Sequence, residues 1–301
     1  MDLYPCGRLL AMVCPITTGR TLILLGLVAG VVTAVLPATA PAQDQAFSTW
    51  LQELRAEASQ RGIQAATLDA ALRDVKVLPR VIELDGKQPE VTLTFAQYLQ
   101  RVIPDTRVHT GRQLLKQHQT LLNQVAATYG VPAPVIVALW GIESDYGRRT
   151  GGFSVISALA TLAYDGRRSA YFRRELLDAL QILDEGHISP DQMTGSWAGA
   201  MGQSQFMPSS FINRAVDYND DGRRDIWTTL GDVFASTANY LARAGWRKGQ
   251  LWGREVKLPA DFDTALAGLN IQKSLAAWQA LGVRRANGHH LPTVDRQASI
   301  I

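Results

Sequence analysis

The chain has 301 residues, of which 47% are hydrophobic and 19% are charged, and its net charge is +3. This composition is typical of globular proteins and excludes a disordered or fibrous chain. The length exceeds the usual domain size of about 100 to 200 residues, so we expect two or three packed subdomains. Lysine and arginine are scattered rather than gathered into runs, so we expect no nucleic-acid partner.

Residues 1–42 have the layout of a secretory signal peptide. Arg8 and Arg20 precede an apolar run at 21–36, and the small residues at 40–42 predict cleavage after Ala42. An uncleaved membrane anchor is the alternative, but the run is shorter than the roughly 20 apolar residues of a spanning helix. We therefore expect export to the periplasm.

The two cysteines, Cys6 and Cys14, lie upstream of the apolar run. A chain cleaved after Ala42 would contain no cysteine. This excludes disulfides, thiolate metal sites and cysteine nucleophiles, and it favours a soluble protein over a lipoprotein.

Helical patterns dominate residues 47 to 186. Amphipathic helices are predicted to open at Phe47, Thr67, Thr94 and Thr110, the last of them stopping at Gly130. Later in the chain we predict helices over 155–164, 169–184, 231–244 and 274–281, and a strand within 249–259.

The segment 134–142 is apolar on every side, which predicts a helix buried within the domain. Glu143 follows it in the sequence ESDYG. Because burial disfavours the charged form of a carboxyl group, we expect Glu143 to have a raised pKa and to act as a general acid. The alternative is an ordinary ion pair with Arg148 or Arg149.

The segment 195–211, GSWAGAMGQSQFMPSSF, combines small residues with aromatic and amide side chains. Small residues let the backbone approach a ligand closely, and aromatic rings and amides suit a sugar. The segment therefore predicts a groove wall with sugar contacts from Trp197, Gln203, Gln205 and Phe206. A tight Gly/Ala helix packed against another helix is the alternative.

The segment 217–223, DYNDDGR, matches the opening of an EF-hand loop. Asp217, Asn219 and Asp221 supply hard oxygen atoms at positions one, three and five, and a glycine follows at position six. Thr228 occupies position twelve, where a glutamate is usual. We predict a weak structural calcium site, with an Asp-rich turn that binds no metal as the alternative.

In combination, ESDYG, the segment 195–211 and the segment 215–246 resemble the lytic murein transglycosylase B family, glycoside hydrolase family 103, over residues 47–301. The resemblance implies a mainly α (α+β) fold with a lysozyme-like core and a small EF-hand-like and β insertion. The implied organisation is a helical N-terminal subdomain at 43–110, a lysozyme-like catalytic core at 111–210, the insertion at 211–260 and a C-terminal segment at 261–301.

The resemblance also implies roles for individual residues. Glu143 matches the family's single catalytic acid/base, and Ser196 and Gln205 match residues that bind the glycan near the cleaved bond. We expect Tyr146, close to Glu143 in sequence, to join the substrate contacts. The resemblance further implies a lengthened calcium loop closed by Asp232, and Arg223 completes the predicted metal set.

The family's reaction cleaves the β-1,4 bond between N-acetylmuramic acid and N-acetylglucosamine and leaves a 1,6-anhydro ring. It needs one carboxyl group and no cofactor. The nearest acidic neighbour, Asp145, would point away from Glu143 on a continuing helix. The alternatives are a hydrolytic muramidase on the same fold and a non-catalytic peptidoglycan-binding protein. We expect a monomer that acts on peptidoglycan strands beside cell-wall synthesis or remodelling proteins.

Members of the family usually continue with a segment rich in tyrosine and asparagine. This chain ends at residues 298–301 in an apolar stretch that resembles the start of a strand with nothing to pair it. We therefore expect a C-terminally shortened member of the family.

Overall fold

The computed structural model describes residues 40–87, 94–165, 167–249 and 253–301. The predicted signal peptide lies outside the described residues, apart from its last three positions. The described chain is mainly helical, as predicted. Its α-helices are α1 (Ala40–Gln60), α2 (Ala65–Leu72), α3 (Pro79–Gly86), α4 (Phe95–Val102), α5 (Asp105–Gln117), α6 (Gln119–Tyr129), α7 (Ala133–Ser144), α8 (Val155–Asp165), α9 (Ser169–Asp184), α10 (Pro208–Arg214), α11 (Leu230–Arg243) and α12 (Leu275–Ala280).

The strands of the described residues are two residues long and pair antiparallel. They are β1 (Phe153–Ser154) with β2 (Thr194–Gly195), β3 (Val256–Lys257) with β5 (Arg284–Arg285), and β4 (Lys273–Ser274) with β6 (Gln297–Ala298). The chain divides into two compact units, one ending at Lys248 and the other beginning at Gly249. The subdomain boundaries at 110, 210 and 260 stay predictions.

Helix α8 lies at the centre of the first unit. Every residue from Val155 to Ala163 is buried, and the helix packs mainly against α9. Apolar side chains from α1 and α2, including Leu54 and Leu68, belong to the same core. The helix that is buried on all sides is therefore α8, which the sequence pattern did not single out.

Helix α7 is buried on only one face, so the prediction of burial all round was wrong. Ile136, Val137 and Trp140 belong to a core shared with α6 and α11. Ala138 is exposed, and Ile142 keeps 43% of its surface accessible. The outward face of α7 is apolar although it meets solvent, which is typical of helices that line a binding surface.

Of the helix starts predicted before Gly130, only Thr94 is confirmed, whereas Phe47, Thr67 and Thr110 lie inside helices that begin earlier, at Ala40, Ala65 and Asp105. Thr94 caps α4 in the predicted way, with a reciprocal capping box to Gln97. Thr110 does not open a helix: α5 already begins at Asp105, and the Thr110 hydroxyl donates to Thr106 O within it. Pro104 occupies the N-cap of α5 and sets the earlier start.

The second unit has its own small core around Trp278 and Val283. The last residues are paired, contrary to the prediction. In register, Ala298 lies opposite Lys273, and Gly268 N donates to Ile300 O at 2.8 Å. The partner strand was missed because two residues are too few to show a periodic pattern.

Within the described ranges, no single helix has the length and apolar character needed to cross a membrane. Helices α6 and α7 meet the requirement only as a pair, and they are bent by 107° relative to each other.

Candidate active site

Glu143 lies in the last turn of α7 and is exposed. Among the described residues, no side chain or backbone group forms a hydrogen bond or an ion pair with its carboxyl group. Burial nevertheless raises the pKa of Glu143 above its usual 4.5. These two properties occur together where a group meets solvent on one side and is surrounded by protein atoms on the others.

Asp145, two residues later, has the opposite environment. Arg148 Nη2 lies 3.1 Å from Asp145 Oδ1, and Arg107 Nε lies 3.5 Å from the same atom. Partial burial acts to raise the pKa of Asp145, but the hydrogen bond and the charge of Arg148, with the charge of Arg107, outweigh it, and the pKa is lowered. Asp145 is therefore stabilised in its ionised form by arginines, and these arginines are not paired with Glu143.

The backbone after Glu143 makes a sharp turn through three left-handed residues. The φ angles of Asp145, Tyr146 and Gly147 are 52°, 60° and 80°. Asp145 caps α7, with its N–H donating to Gly141 O. Left-handed conformations cost free energy for residues other than glycine, so the surrounding packing must hold them.

The Tyr146 ring fills a slot between two helices. A Cβ at Gly111 of α5 would lie 2.5 Å from Tyr146 Oη, and one at Gly141 of α7 would lie 2.7 Å from the ring. The hydroxyl donates to Arg107 O at 2.7 Å. The ring is half-buried and wedged in protein, whereas the sequence predicted a substrate contact. Glycine is unfavourable inside a helix, so Gly111 and Gly141 were the features of the sequence from which this slot could have been predicted.

Gln203 connects the segment 195–211 to α7. Its Oε1 accepts a hydrogen bond from Trp140 Nε1 at 2.7 Å, and its Nε2 donates to Trp227 O at 2.8 Å. The Ser144 hydroxyl donates to Gln203 O at 2.7 Å. Gln203 is buried, and protein groups engage its amide on both sides. The residue next to Glu143 is thus fixed to the predicted groove segment, although Gln203 itself is not placed to meet a sugar.

Gln205 and Ser196 keep hydrogen-bonding capacity that other groups do not use. Gln205, at a left-handed φ of 47°, donates through Nε2 to Thr150 O and Gly202 O, and within the described residues its Oε1 accepts nothing. The Ser196 hydroxyl oxygen accepts from the N–H groups of residues 198 and 200, which leaves its own proton free to donate. Both side chains are half-buried, and so both have a free group near the surface.

Of the two aromatic residues predicted to contact sugars, Phe206 is buried, whereas the contact predicted for Trp197 stays a prediction. Phe206 is 6% exposed and lies in the core, with its ring 5.4 Å from that of Tyr240. Trp197 is half-buried and packs against the same core. The segment is not a tight helix either: its short strand and bridges put Met201 opposite both Gly195 and Phe206. Its fold follows from backbone pairing, which composition does not reveal.

The predicted metal loop is closed by hydrogen bonds of its own. The Asp217 carboxylate accepts from Asp221 N and Gly222 N, and Asn219 Nδ2 donates to Asp221 Oδ2 at 2.9 Å. Arg223 directs its guanidinium to His187 O, away from the loop oxygens. Nowhere in the described chain is a group of three or more acidic, histidine or cysteine side chains gathered closely enough to hold a metal ion.

Asp232 lies beneath this loop and is fully buried. Its two oxygens accept from Tyr218 N and Asp225 N. Burial raises the pKa of Asp232, the two backbone donors lower it, and the charges of Asp217 and Asp221 raise it further, with a net increase. No ion pair reaches these three carboxylates within the described residues, so their mutual repulsion is uncompensated by any cationic side chain.

Comparisons with known proteins agree with this site. Residues 46–301 match the family model of the Transglycosylase SLT domain. The chain is 32% identical over 249 residues to the membrane-bound lytic murein transglycosylase B of Escherichia coli (strain K12), which covers 75% of this chain and 69% of that relative.

Solved structures show the same fold. SltB3 from Pseudomonas aeruginosa, in complex with NAG-NAM-pentapeptide, superposes with a TM-score of 0.82 at 47% identity over 85% of this chain and 69% of that one. The Escherichia coli lytic transglycosylase Slt35, in complex with calcium, superposes with a TM-score of 0.71 at 29% identity over 86% of this chain and 80% of that one. The chain therefore belongs to the Transglycosylase SLT family of lytic murein transglycosylases.

Proposed function

We propose that the chain cleaves the β-1,4 bond between N-acetylmuramic acid and N-acetylglucosamine in peptidoglycan, with Glu143 as its only catalytic acid and base. One observation carries this proposal: Glu143 is exposed, has no partner among the described residues and has a raised pKa. A carboxyl group in that state keeps its proton to a higher pH than a free glutamate and can deliver it to a bound substrate.

The reaction proceeds in two proton transfers. Glu143 first donates its proton to the glycosidic oxygen while the bond to muramic C1 breaks, and the N-acetylglucosamine end leaves as an alcohol. The ionised Glu143 then takes the proton from the muramic C6 hydroxyl, whose oxygen bonds to C1 and closes the 1,6-anhydro ring. The carboxyl group returns to its starting state, no water is consumed, and no cofactor is needed.

Asp145 is unsuited to serve as the second carboxylate of an ordinary glycosidase. Such enzymes place two carboxyl groups about 5 to 10 Å apart across the scissile bond. Asp145 is engaged with Arg148 and Arg107 and has a lowered pKa. This arrangement supports a mechanism in which the substrate's own N-acetyl group stabilises the positively charged intermediate.

We assign substrate binding to side-chain groups that can still form hydrogen bonds because no protein group within the described chain uses them. We assign the Ser196 hydroxyl as a donor and Gln205 Oε1 as an acceptor for the sugar hydroxyl and acetamido groups, and Trp197 as an apolar contact beside them. Gln203, Phe206 and Tyr146 act instead as positioning residues, because protein groups hold each of them. The SltB3 structure contains NAG-NAM-pentapeptide, a ligand of the class that this assignment requires.

Product analysis separates this activity from hydrolysis. Purified protein is incubated with sacculi, and the masses of the soluble products are measured by mass spectrometry. Transglycosylation gives 1,6-anhydromuramic ends, which are 18 mass units (about one water) lighter than the reducing ends left by a muramidase. Reducing ends alone would establish the muramidase. Binding to sacculi with no soluble product from either reaction would establish the non-catalytic alternative.

We further propose that calcium binds the loop 217–223 in a structural role. The oxygens of Asp217, Asn219 and Asp221 are of the type that calcium prefers, and a cation there would offset the charge repulsion felt by Asp232. The calcium complex of Slt35 supports this proposal. A rise in the melting temperature with calcium, absent in Asp217→Asn, is the expected result; equal melting curves with calcium and with a chelator would contradict it.

We also propose that the chain acts in the periplasm after removal of residues 1–42. The relative in Escherichia coli is named membrane-bound, whereas a second Pseudomonas aeruginosa relative, SltB1, is named soluble. Cell fractionation with N-terminal sequencing of the recovered protein decides between them: a mature terminus following Ala42 in the soluble fraction is expected. A monomeric state and partners in cell-wall remodelling stay predictions.

A further inference from the structure

A cleft rich in arginine lies beside the turn that follows Glu143. We call it the arginine cleft; it has a volume of about 580 Å³ and is lined chiefly by Arg101, Arg107, Arg148, Arg149, Asp145 and Thr106. It lies entirely within the first unit of the chain. The proposed chemistry of Glu143 does not use any of these side chains.

The charges of the arginine cleft do not balance. Four guanidinium groups face one carboxylate, Asp145. Arg149 is 81% exposed and reaches Asp145 only at 3.9 Å, and Arg101 has no hydrogen bond or ion pair among the described residues. Arg107 is already engaged by the protein, because its Nε lies 3.5 Å from Asp145 Oδ1 and its Nη1 donates to Val102 O, so the unused donors are those of Arg101 and Arg149. The cleft therefore has an excess of donors and of positive charge that an anion would satisfy.

The cleft is built on rigid parts of the fold. Tyr146, held between Gly111 and Gly141, donates to Arg107 O and so fixes α5 against the turn. Helix α5 begins at Asp105, and the exposed Thr106 of its first turn lines the cleft. The backbone around the cleft is therefore fixed, whereas the side chains of Arg101 and Arg149 are exposed and can reach toward a ligand.

The cleft is also close to the proposed point of cleavage. Arg149 N donates to Ser144 O at 2.8 Å. The Arg149 backbone is therefore hydrogen-bonded to the residue that directly follows Glu143. A group attached to the sugar at the scissile bond would come within reach of Arg149. The sugars themselves are uncharged, whereas the peptides that peptidoglycan strands carry on muramic acid end in carboxylates.

From the free donors, the excess positive charge and this position, we propose that the arginine cleft binds a carboxylate of the peptide stem on the strand that Glu143 cleaves. This inference rests on the proposed function. Arginine pairs with carboxylates through two parallel hydrogen bonds, which selects them over neutral amides. The cleft then makes peptide-bearing strands better substrates than bare glycan.

The test compares two substrates and two charge-matched variants. Steady-state kinetics are measured on peptide-bearing strands and on strands stripped of peptide by an amidase. For Arg101→Gln/Arg149→Gln, we expect kcat/KM on peptide-bearing strands to fall about tenfold, mainly through KM, and kcat/KM on bare strands to stay within about twofold of wild type. The control Arg112→Gln/Arg247→Gln removes two exposed arginines outside the cleft and should leave both substrates unchanged.

Several outcomes would overturn the proposal. These are an equal loss of kcat/KM on both substrates, no loss on peptide-bearing strands, or an unchanged kcat/KM of wild-type protein when the stem carboxylates are converted to amides. Loss of binding to anionic phospholipid vesicles with unchanged kinetics would assign the cleft to a membrane surface instead. Arg101→Lys/Arg149→Lys keeps the charge and should recover part of the effect, which guards against a folding artefact. If wild-type protein forms no anhydro product from either substrate, the proposed function fails instead.

Discussion

The last turn of α7 and the turn after it carry two carboxyl groups with opposite properties. Glu143 is exposed, has no partner among the described residues and has a raised pKa. Asp145 is 17% exposed at its side chain, contacts arginines and has a lowered pKa. Only Ser144 separates them, and its hydroxyl is fixed to Gln203. The surroundings of each carboxyl group, and not its residue type or its distance in the sequence, therefore decide the direction in which its pKa shifts.

The largest expected effect comes from neutralising each carboxyl group in turn. Glu143→Gln should lower kcat by about 10² to 10⁴-fold or more, because general acid–base catalysis contributes that much. Asp145→Asn should lower it less than about tenfold, because that residue only orders arginines. Release of anhydro products from sacculi measures both. Comparable losses in the two variants would mean that the carboxyl groups share the chemistry.

The next effect concerns the slot that holds Tyr146. Gly141→Val places side-chain atoms where the Tyr146 ring lies 2.7 Å from a Cβ, so we expect a loss of roughly 1 to 3 kcal/mol or more in the free energy of unfolding. Urea unfolding followed by circular dichroism measures it. Gly86→Ala is the matched control, since no atom lies within 4 Å of a Cβ there. Equal stability of Gly141→Val and wild type would show that the slot is not closed.

Removing the side-chain amide of Gln203, which connects the segment 195–211 to α7, should have a smaller effect. Gln203→Met leaves the Trp140 indole N–H without its acceptor, which costs about 1 to 3 kcal/mol for a buried donor. Gln113→Met, an exposed change on α5, should be close to neutral. Thermal unfolding compares the two. If the two variants have the same melting temperature, Gln203 does not hold the segment 195–211 to α7.

The smallest expected effect is that the two carboxyl groups change the stability of the protein with pH in opposite directions. Burial raises the pKa of Glu143 above 4.5, so its stability contribution is present at low pH and is lost as pH rises through the folded pKa. Glu143→Gln should therefore be more stable than wild type near about pH 7 and equal to it at low pH. The pKa of Asp145 is lowered below 3.8, so its contribution is present above that value and is lost as pH falls.

Melting temperatures at several pH values test this contrast. Asp145→Asn should be less stable than wild type near about pH 7, and the difference should shrink in acid. The effects are expected to stay below about 1 kcal/mol for such accessible groups. Shifts of the same sign for both variants near neutral pH would show that the two environments are not opposite.

Sequence reasoning predicted local features well where a local signal exists. The helix start at Thr94 and the helix end at Gly130 are as expected, because each depends on residues within one helical turn. Thr110 was assigned a helix start that belongs to Asp105, and the chain end at Gln297–Ala298 pairs with a strand that no pattern indicated. Pairing with a segment distant in the chain leaves little trace in the sequence of either partner.

By itself, the sequence determined the family, the mainly helical fold and the position of Glu143 at the end of an apolar helix, because motifs and helical periodicity are local properties. The tertiary structure decided which side chains of the segment 195–211 face inward, how Tyr146 and Gln203 support the site, and that the arginines gather around Asp145. Those outcomes depend on which surfaces pack together, and packing sets the solvent exposure and charge environment of each carboxyl group.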